Sequence, residues 1–215
     1  KLLDLMINSL YKEKDIFLRE LIANASDACD KLRYAAITEP DLMAGDSDLK
    51  VSLALDKEAR TLTIADNGIG MNHDDLVQNL GTIARSGTEA FLKQIKGEEG
   101  DDPSLIGQFG VGFYAVFMAA DEVTVISRRA GSDEAWAWTS DGRTGFEIAE
   151  AGADTPRGTT ITLKLKKDAK EFSETLRVET VVKTYSEHVG MPVWIATDGQ
   201  SNQVNEAAAL WARPK

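Results

Sequence analysis

Glu20, Asn24, Asp27 and Lys31 follow one another at intervals of four, three and four residues. On a helix turning about 100° per residue they fall within a wedge of roughly 60°. Such a line holds a carboxylate able to take a proton from water and an amide oxygen able to ligate a hard cation such as Mg²⁺. The same spacing also describes a solvated helix edge, with Glu20 and Lys31 as surface charges and Asn24 as a tolerated neighbour. Phe17, Leu21, Ala25, Ala28 and Leu32 make the apolar face beside this line, and Arg19, Ser26, Asp30 and Arg33 lie opposite. The polar line therefore borders the core, where a cavity edge belongs.

A second carboxylate, Asp66, ends the alternating run Thr61-Leu-Thr-Ile-Ala and opens Asp66-Asn-Gly-Ile-Gly-Met71. At the lip of a strand it could accept a hydrogen bond from an exocyclic amine such as that of adenine, and the glycines would let a flat base approach the backbone. Asp-Asn-Gly is equally good turn chemistry. Further on, Gly107-Gln-Phe-Gly-Val-Gly112 precedes a candidate helix, so its backbone N–H groups could surround phosphate oxygens. It lacks the βαβ context of a dinucleotide fingerprint and the Lys-Ser/Thr ending of a P-loop. A flexible hinge is the competing reading. With Leu80-Gly-Thr-Ile-Ala-Arg-Ser-Gly87 it brackets a segment able to close over a ligand.

These groups need elements to hold them. Apolar spacing predicts helices over 2–10 and 16–34, and alternation predicts strands over 50–56 and 61–66. A helix is expected over 72–80, another over 113–119, then strands over 122–129, 135–140 and 159–164, a helix near 173–185 and a last strand after Pro192. Hairpin-joined strands with helices grouped apart indicate an α+β fold, a two-layer sandwich of a mostly antiparallel sheet and helices. One domain over residues 1–197 is expected, followed by a polar linker and the start of a further domain over 198–215.

Composition bounds the function. The 215 residues carry 43% hydrophobic and 27% charged side chains, which suits a folded chain. A formal charge of −11, with no basic stripe, argues against nucleic acid as a partner. It leaves room for ATP, since a few backbone donors and one cation can build a local anion site. No apolar run reaches the roughly 18 residues that span a bilayer, and a cytoplasmic location without membrane attachment is the expectation. Cys29 is the only cysteine and is read as a small structural residue, and His73 and His188 stand apart, without companion metal ligands. Trp136 and Trp138 share one strand face and are read as packing residues.

The segments Phe17-Leu-Arg-Glu-Leu-Ile-Ala-Asn-Ala-Ser-Asp-Ala28, Asp66 to Met71, Leu80 to Gly87 and Gly107-Gln-Phe-Gly-Val-Gly-Phe-Tyr114 together closely resemble the heat-shock protein 90 family. The likeness continues through Arg157-Gly-Thr159 and Tyr185-Ser-Glu-His-Val-Gly-Met-Pro192, so it runs the length of the chain. The short link before Ala207-Ala-Ala-Leu-Trp-Ala-Arg-Pro214 resembles the bacterial high-temperature protein G type more than eukaryotic cytosolic members.

The resemblance implies a Bergerat-type ATP-binding fold and the ATP-binding, ATP-hydrolysing domain of a chaperone that assists protein folding. It implies ATP and Mg²⁺ as cofactors. Glu20 would act as general base, Asn24 would ligate Mg²⁺, and Asp66 would take the adenine amino group. Asp27, Gly70, Met71 and Asn79 would line the nucleotide pocket, and Gly110, Val111, Gly112 and Phe113 would face the phosphates. Thr159 would sit near the adenine-binding carboxylate and act through water, with Lys31, Arg85 and Ser86 as further nucleotide contacts. Client proteins, co-chaperones and a homodimer in the full-length protein are the implied partners. The chain begins after the short strand with which family members start and stops near the middle domain whose arginine completes the hydrolytic site, so weak hydrolysis is expected here. The alternative is a non-catalytic module whose glycine loops bind a client or co-chaperone.

Overall fold

The computed structural model describes residues 14–81, 112–187, 189–197 and 200–207. Its organising element is helix α1, Ile16–Ala35, which buries Phe17, Leu18, Leu21, Ile22, Ala25, Ser26, Cys29 and Leu32. That arc spans roughly half the helix circumference, wider than a single apolar stripe. Ser26, expected on the far side, is one of the buried residues, because Ile22 and Cys29 flank it and carry the contact surface round to it. Against α1 packs helix α4, Thr175–Tyr185, and the edge of Phe17 meets Phe172 at 4.9 Å between ring centres.

The strands are β1 (Val51–Asp56), β2 (Thr61–Asp66), β3 (Ala120–Arg128), β4 (Ala135–Ser140), β5 (Phe146–Glu150), β6 (Gly158–Leu165), β7 (Val193–Thr197) and β8 (Gln200–Gln203). They form one sheet in the order β5-β4-β3-β6-β2-β1-β7-β8. Each neighbouring pair is antiparallel except β1 with β7. Leu53, Leu62, Ile64, Val123, Val125 and Leu163 are completely or almost completely buried and form the core beneath the helices. Each such side chain contributes about 1.5–3 kcal/mol of transfer free energy, so the helix–sheet interface is the main source of stability. The fold is the expected α+β sandwich.

Three local features differ from expectation. The helix foreseen over 72–80 starts on a reciprocal Asn72–Asp75 capping box and is α-helical only over His73–Leu76 (α2). It then widens into a π-helical turn, Val77–Gly81. The apolar run near 113–119 is a 3₁₀ turn, Gly112–Ala115, leading into helix α3, Val116–Ala119. Finally, the polar stretch taken as linker from 198 onward contains β8, which pairs with β7, so the sheet continues beyond the expected boundary at 197. Behind it Asn205 is buried, accepting from the Val193 amide at 2.8 Å and donating to the Met191 carbonyl at 2.9 Å. Side-chain polarity misleads there because β8 is an edge strand with all four residues exposed. The helix expected over 2–10 lies outside the described residues.

Candidate functional site

Asp66 ends β2 and pairs across the ladder with Thr159 of β6, while Thr159 pairs on its other side with Ser127 of β3. Three adjacent strands thus bring a carboxylate and two hydroxyls into one row. Burial pushes the Asp66 carboxyl up to about 7, although the backbone amides of Gly68 and Thr159 pull it the other way. The Gly68 amide donates to its Oδ1 at 2.9 Å.

The loop after Asp66 is held from both sides. The Ile69 amide donates to the Ala28 carbonyl of α1 at 3.0 Å, and the Ala130 amide, just beyond β3, donates to the Ile69 carbonyl at 2.8 Å. Gly70 has φ of +66°, and a Cβ there would stand 2.0 Å from the Arg128 carbonyl oxygen. Only glycine permits both the turn and that approach. Gly68 is similarly crowded by the Ala28 backbone, with 2.5 Å to its carbonyl carbon. Met71 leaves the loop with its amide donating to the Ser127 hydroxyl at 2.8 Å, and Asn79 reaches back to the Met71 sulfur at 3.9 Å. Asp66, Gly70, Met71, Asn79 and Thr159 are therefore gathered around one loop and the strand ends it touches.

A second group lies toward the start of α1. Glu20 is mostly buried and takes the Arg19 guanidinium at 2.8 Å. A Cβ on Gly112 would come within 2.7 Å of Glu20 Oε2, so the glycine brings the backbone up to that carboxylate. Phe113 turns away from this point into the core, edge-on to Trp138 at 5.8 Å. Tyr114 donates its hydroxyl to the Leu80 carbonyl, which ties α3's approach to the end of the π turn.

Asn24, Asp27 and Lys31 are exposed along the outer edge of α1. Asp27 and Lys31 also line an open hollow of about 470 Å³ with Asp30, Tyr34 and Ala35. This hollow follows the outer side of the helix and does not include Asp66 or Thr159. Arg85, Ser86, Gly110 and Val111 lie outside the described residues, as does His188. Among the described residues no group of three or more His, Cys, Asp or Glu side chains could hold a metal, and no helix is long and apolar enough to cross a membrane. His73 rests edge-on against Trp136 at 4.8 Å, and Trp138 is completely buried. Burial and the nearby Asp66 push the Cys29 thiol up to about 12, which leaves it chemically inert at neutral pH.

Two residues that organise this region escaped the sequence reading. Ser127 is completely buried at an inward position of β3 that follows Val123 and Val125. Its signal was present, as a hydroxyl where alternation calls for an apolar side chain. Arg157 is buried and donates to the carbonyls of Asn67 at 3.0 Å, Asp46 at 2.9 Å and Met43. It clamps the Met43 to Asp46 loop onto the end of β2, a long-range role with no local signature.

The family model described as histidine kinase-, DNA gyrase B-, and HSP90-like ATPase matches residues 14–150. Proteins named "Chaperone protein HtpG" are similar along the whole chain. That of Roseobacter denitrificans is 56% identical over 213 residues, 99% of this chain and 34% of its own length. That of Paramagnetospirillum magneticum is 55% identical over 216 residues, 100% of this chain and 34% of its own. That of Rickettsia massiliae is 51% identical over 217 residues, 100% and 35%. The chain spans about a third of the length of these curated relatives. With the mostly antiparallel sheet, the glycine-tight loop after Asp66 and a matched model over most of its residues, the chain belongs to the histidine kinase-, DNA gyrase B- and HSP90-like ATPase family.

Proposed function

We propose that this chain is the ATP-binding domain of a molecular chaperone that couples ATP hydrolysis to protein folding. The observation that carries the reading is Asp66 at the end of β2, largely buried beside Thr159 in the ladder and followed by the glycine-tight loop to Met71. A carboxylate in such a place is a strong acceptor for the amino group of adenine, and Gly68 and Gly70 let the following loop pack tightly against Ala28 and Arg128, which fixes the carboxylate's surroundings. Asp27, Lys31 and Asn79 would contact other parts of the nucleotide, with Gly112 and Phe113 on the phosphate side. Arg85, Ser86, Gly110 and Val111 complete the proposed contacts. We assign residues 1–197 to the nucleotide-binding domain, whose sheet β8 extends from just beyond that boundary.

The donor set fits Mg²⁺ held chiefly by the triphosphate. Asn24 offers one exposed amide oxygen, and hard oxygen ligands from a single side chain, phosphates and water are the usual surroundings of that ion. When bound, the ion would neutralise charge on the phosphates. Glu20 would orient a water and take its proton. For that its carboxylate must be free of Arg19, which holds it at 2.8 Å. A homodimer in the full-length protein, client and co-chaperone binding, a role in the stress response and a cytoplasmic location accompany the proposal.

A thermal-shift titration tests it. ATP with Mg²⁺ should raise the melting temperature more than GTP does, by an amount growing with the logarithm of ligand concentration. Absence of any ATP response would reject the proposal.

A further inference from the structure

We infer that Ser127 is a positioning residue that makes the Thr159 hydroxyl an acceptor, and thereby lets the Asp66–Thr159 pair select a 6-amino purine over a 6-oxo purine. The inference rests on the adenine-site reading above and concerns what sets its selectivity.

Ser127 sits at a completely buried position of β3 where Val123 and Val125 precede it on the same face. A buried hydroxyl is costly unless its hydrogen-bonding capacity is used. Here it is used in full. Its oxygen is 2.8 Å from the Met71 amide, 3.0 Å from the Gly158 carbonyl and 2.9 Å from Thr159 Oγ1.

A serine hydroxyl has one proton and two lone pairs. The Met71 amide can only donate, so it occupies one lone pair. The Gly158 carbonyl can only accept, so it takes the proton. The remaining lone pair is left for Thr159, whose hydroxyl must then donate to Ser127. With its proton so engaged, Thr159 has only lone pairs left to offer a ligand beside Asp66. Asp66, when ionised, likewise only accepts, and it stands beside Thr159 in the ladder. The two groups together form an acceptor-only edge.

Adenine presents an amino group at C6, with two N–H donors. Hypoxanthine presents a carbonyl oxygen there and has nearly the same shape, so it faces lone pair against lone pair. The same serine holds the Met71 amide, joining the glycine loop to the hydroxyl that it orients. Both devices depend on one oxygen atom.

Calorimetry of the 215-residue chain with ATP and with inosine triphosphate, at pH 8, tests the inference. Wild type should prefer ATP. Ser127→Ala should cut the ATP-over-inosine preference by about tenfold, one hydrogen bond's worth of discrimination, because the Thr159 proton becomes free to turn toward a 6-oxo group. Ser127→Thr, which keeps the hydroxyl, should retain the wild-type preference. A merely structural serine would weaken both nucleotides equally, and an unchanged ratio in Ser127→Ala would overturn the inference. If Ser127→Ala does not fold, loss of the preference in Ser127→Thr, with its melting temperature intact, would overturn it too. Absence of any preference in wild type would remove the adenine site itself.

Discussion

Replacing Asp66 by Asn should stabilise the empty domain at pH 8 and weaken its hold on ATP. Burial raises the Asp66 carboxyl from 3.8 to about 7 in the folded chain. Between those values the folded state keeps a proton that the unfolded chain releases, so stability falls as pH rises through that window. A shift of about three pKa units corresponds to roughly 4 kcal/mol lost by pH 8. Asn removes the charge but can offer an oxygen to only one of the two amides, Gly68 and Thr159, that now point at the carboxylate. That costs about 1–2 kcal/mol, leaving a net gain on the order of 2 kcal/mol, or roughly 4–8 °C in melting temperature for a domain of this size. At pH 5 the wild-type carboxyl is already protonated, so the advantage should vanish. ATP affinity should meanwhile fall by roughly 10- to 150-fold, the equivalent of one charge-assisted hydrogen bond of about 1.5–3 kcal/mol. Melting curves at pH 5 and pH 8, with and without ATP, give all of these quantities. A variant less stable than wild type by the same margin at both pH values would refute the raised carboxyl. Undiminished ATP affinity would refute its contact with adenine.

Two further substitutions probe the opposite ends of the site. Glu20→Ala should leave ATP affinity by calorimetry intact while lowering turnover of the full-length protein by about 10²- to 10⁴-fold, the range for losing a general base. Hydrolysis at the wild-type rate in that variant would take Glu20 out of the mechanism. Gly70→Ala places a Cβ 2.0 Å from the Arg128 carbonyl oxygen on a backbone with φ of +66°. It should cost about 3 kcal/mol or more and lower the melting temperature by roughly 6–12 °C, with ATP binding lost as the loop shifts. A normal melt would show that the loop yields more readily than its contacts with Ala28 and Ala130 imply.

Local order was legible in the residues themselves. The period of the apolar residues placed α1 within one residue of its observed end, and alternation placed β2 and β4 at their observed bounds. The clustering of Asp66 with two glycines marked the loop in which neither Gly68 nor Gly70 has space for a Cβ. The short range of these signals explains the success, since helical periodicity, strand alternation and turn chemistry each act over a few residues. Other features depend on partners far along the chain. β5 is recognised by its pairing with β4, and β8 by its pairing with β7, for neither carries a strong pattern of its own. Ser26 is buried by the surfaces closing round α1, and Arg157 matters because three carbonyls between Met43 and Asn67 converge on it. Ser127 shows the division most sharply. Its place on an inward strand position was written in the alternation, but the Met71 amide and the Gly158 and Thr159 oxygens come from other segments. A hydroxyl's role is set by which neighbours donate and which accept, and tertiary structure alone supplies those neighbours.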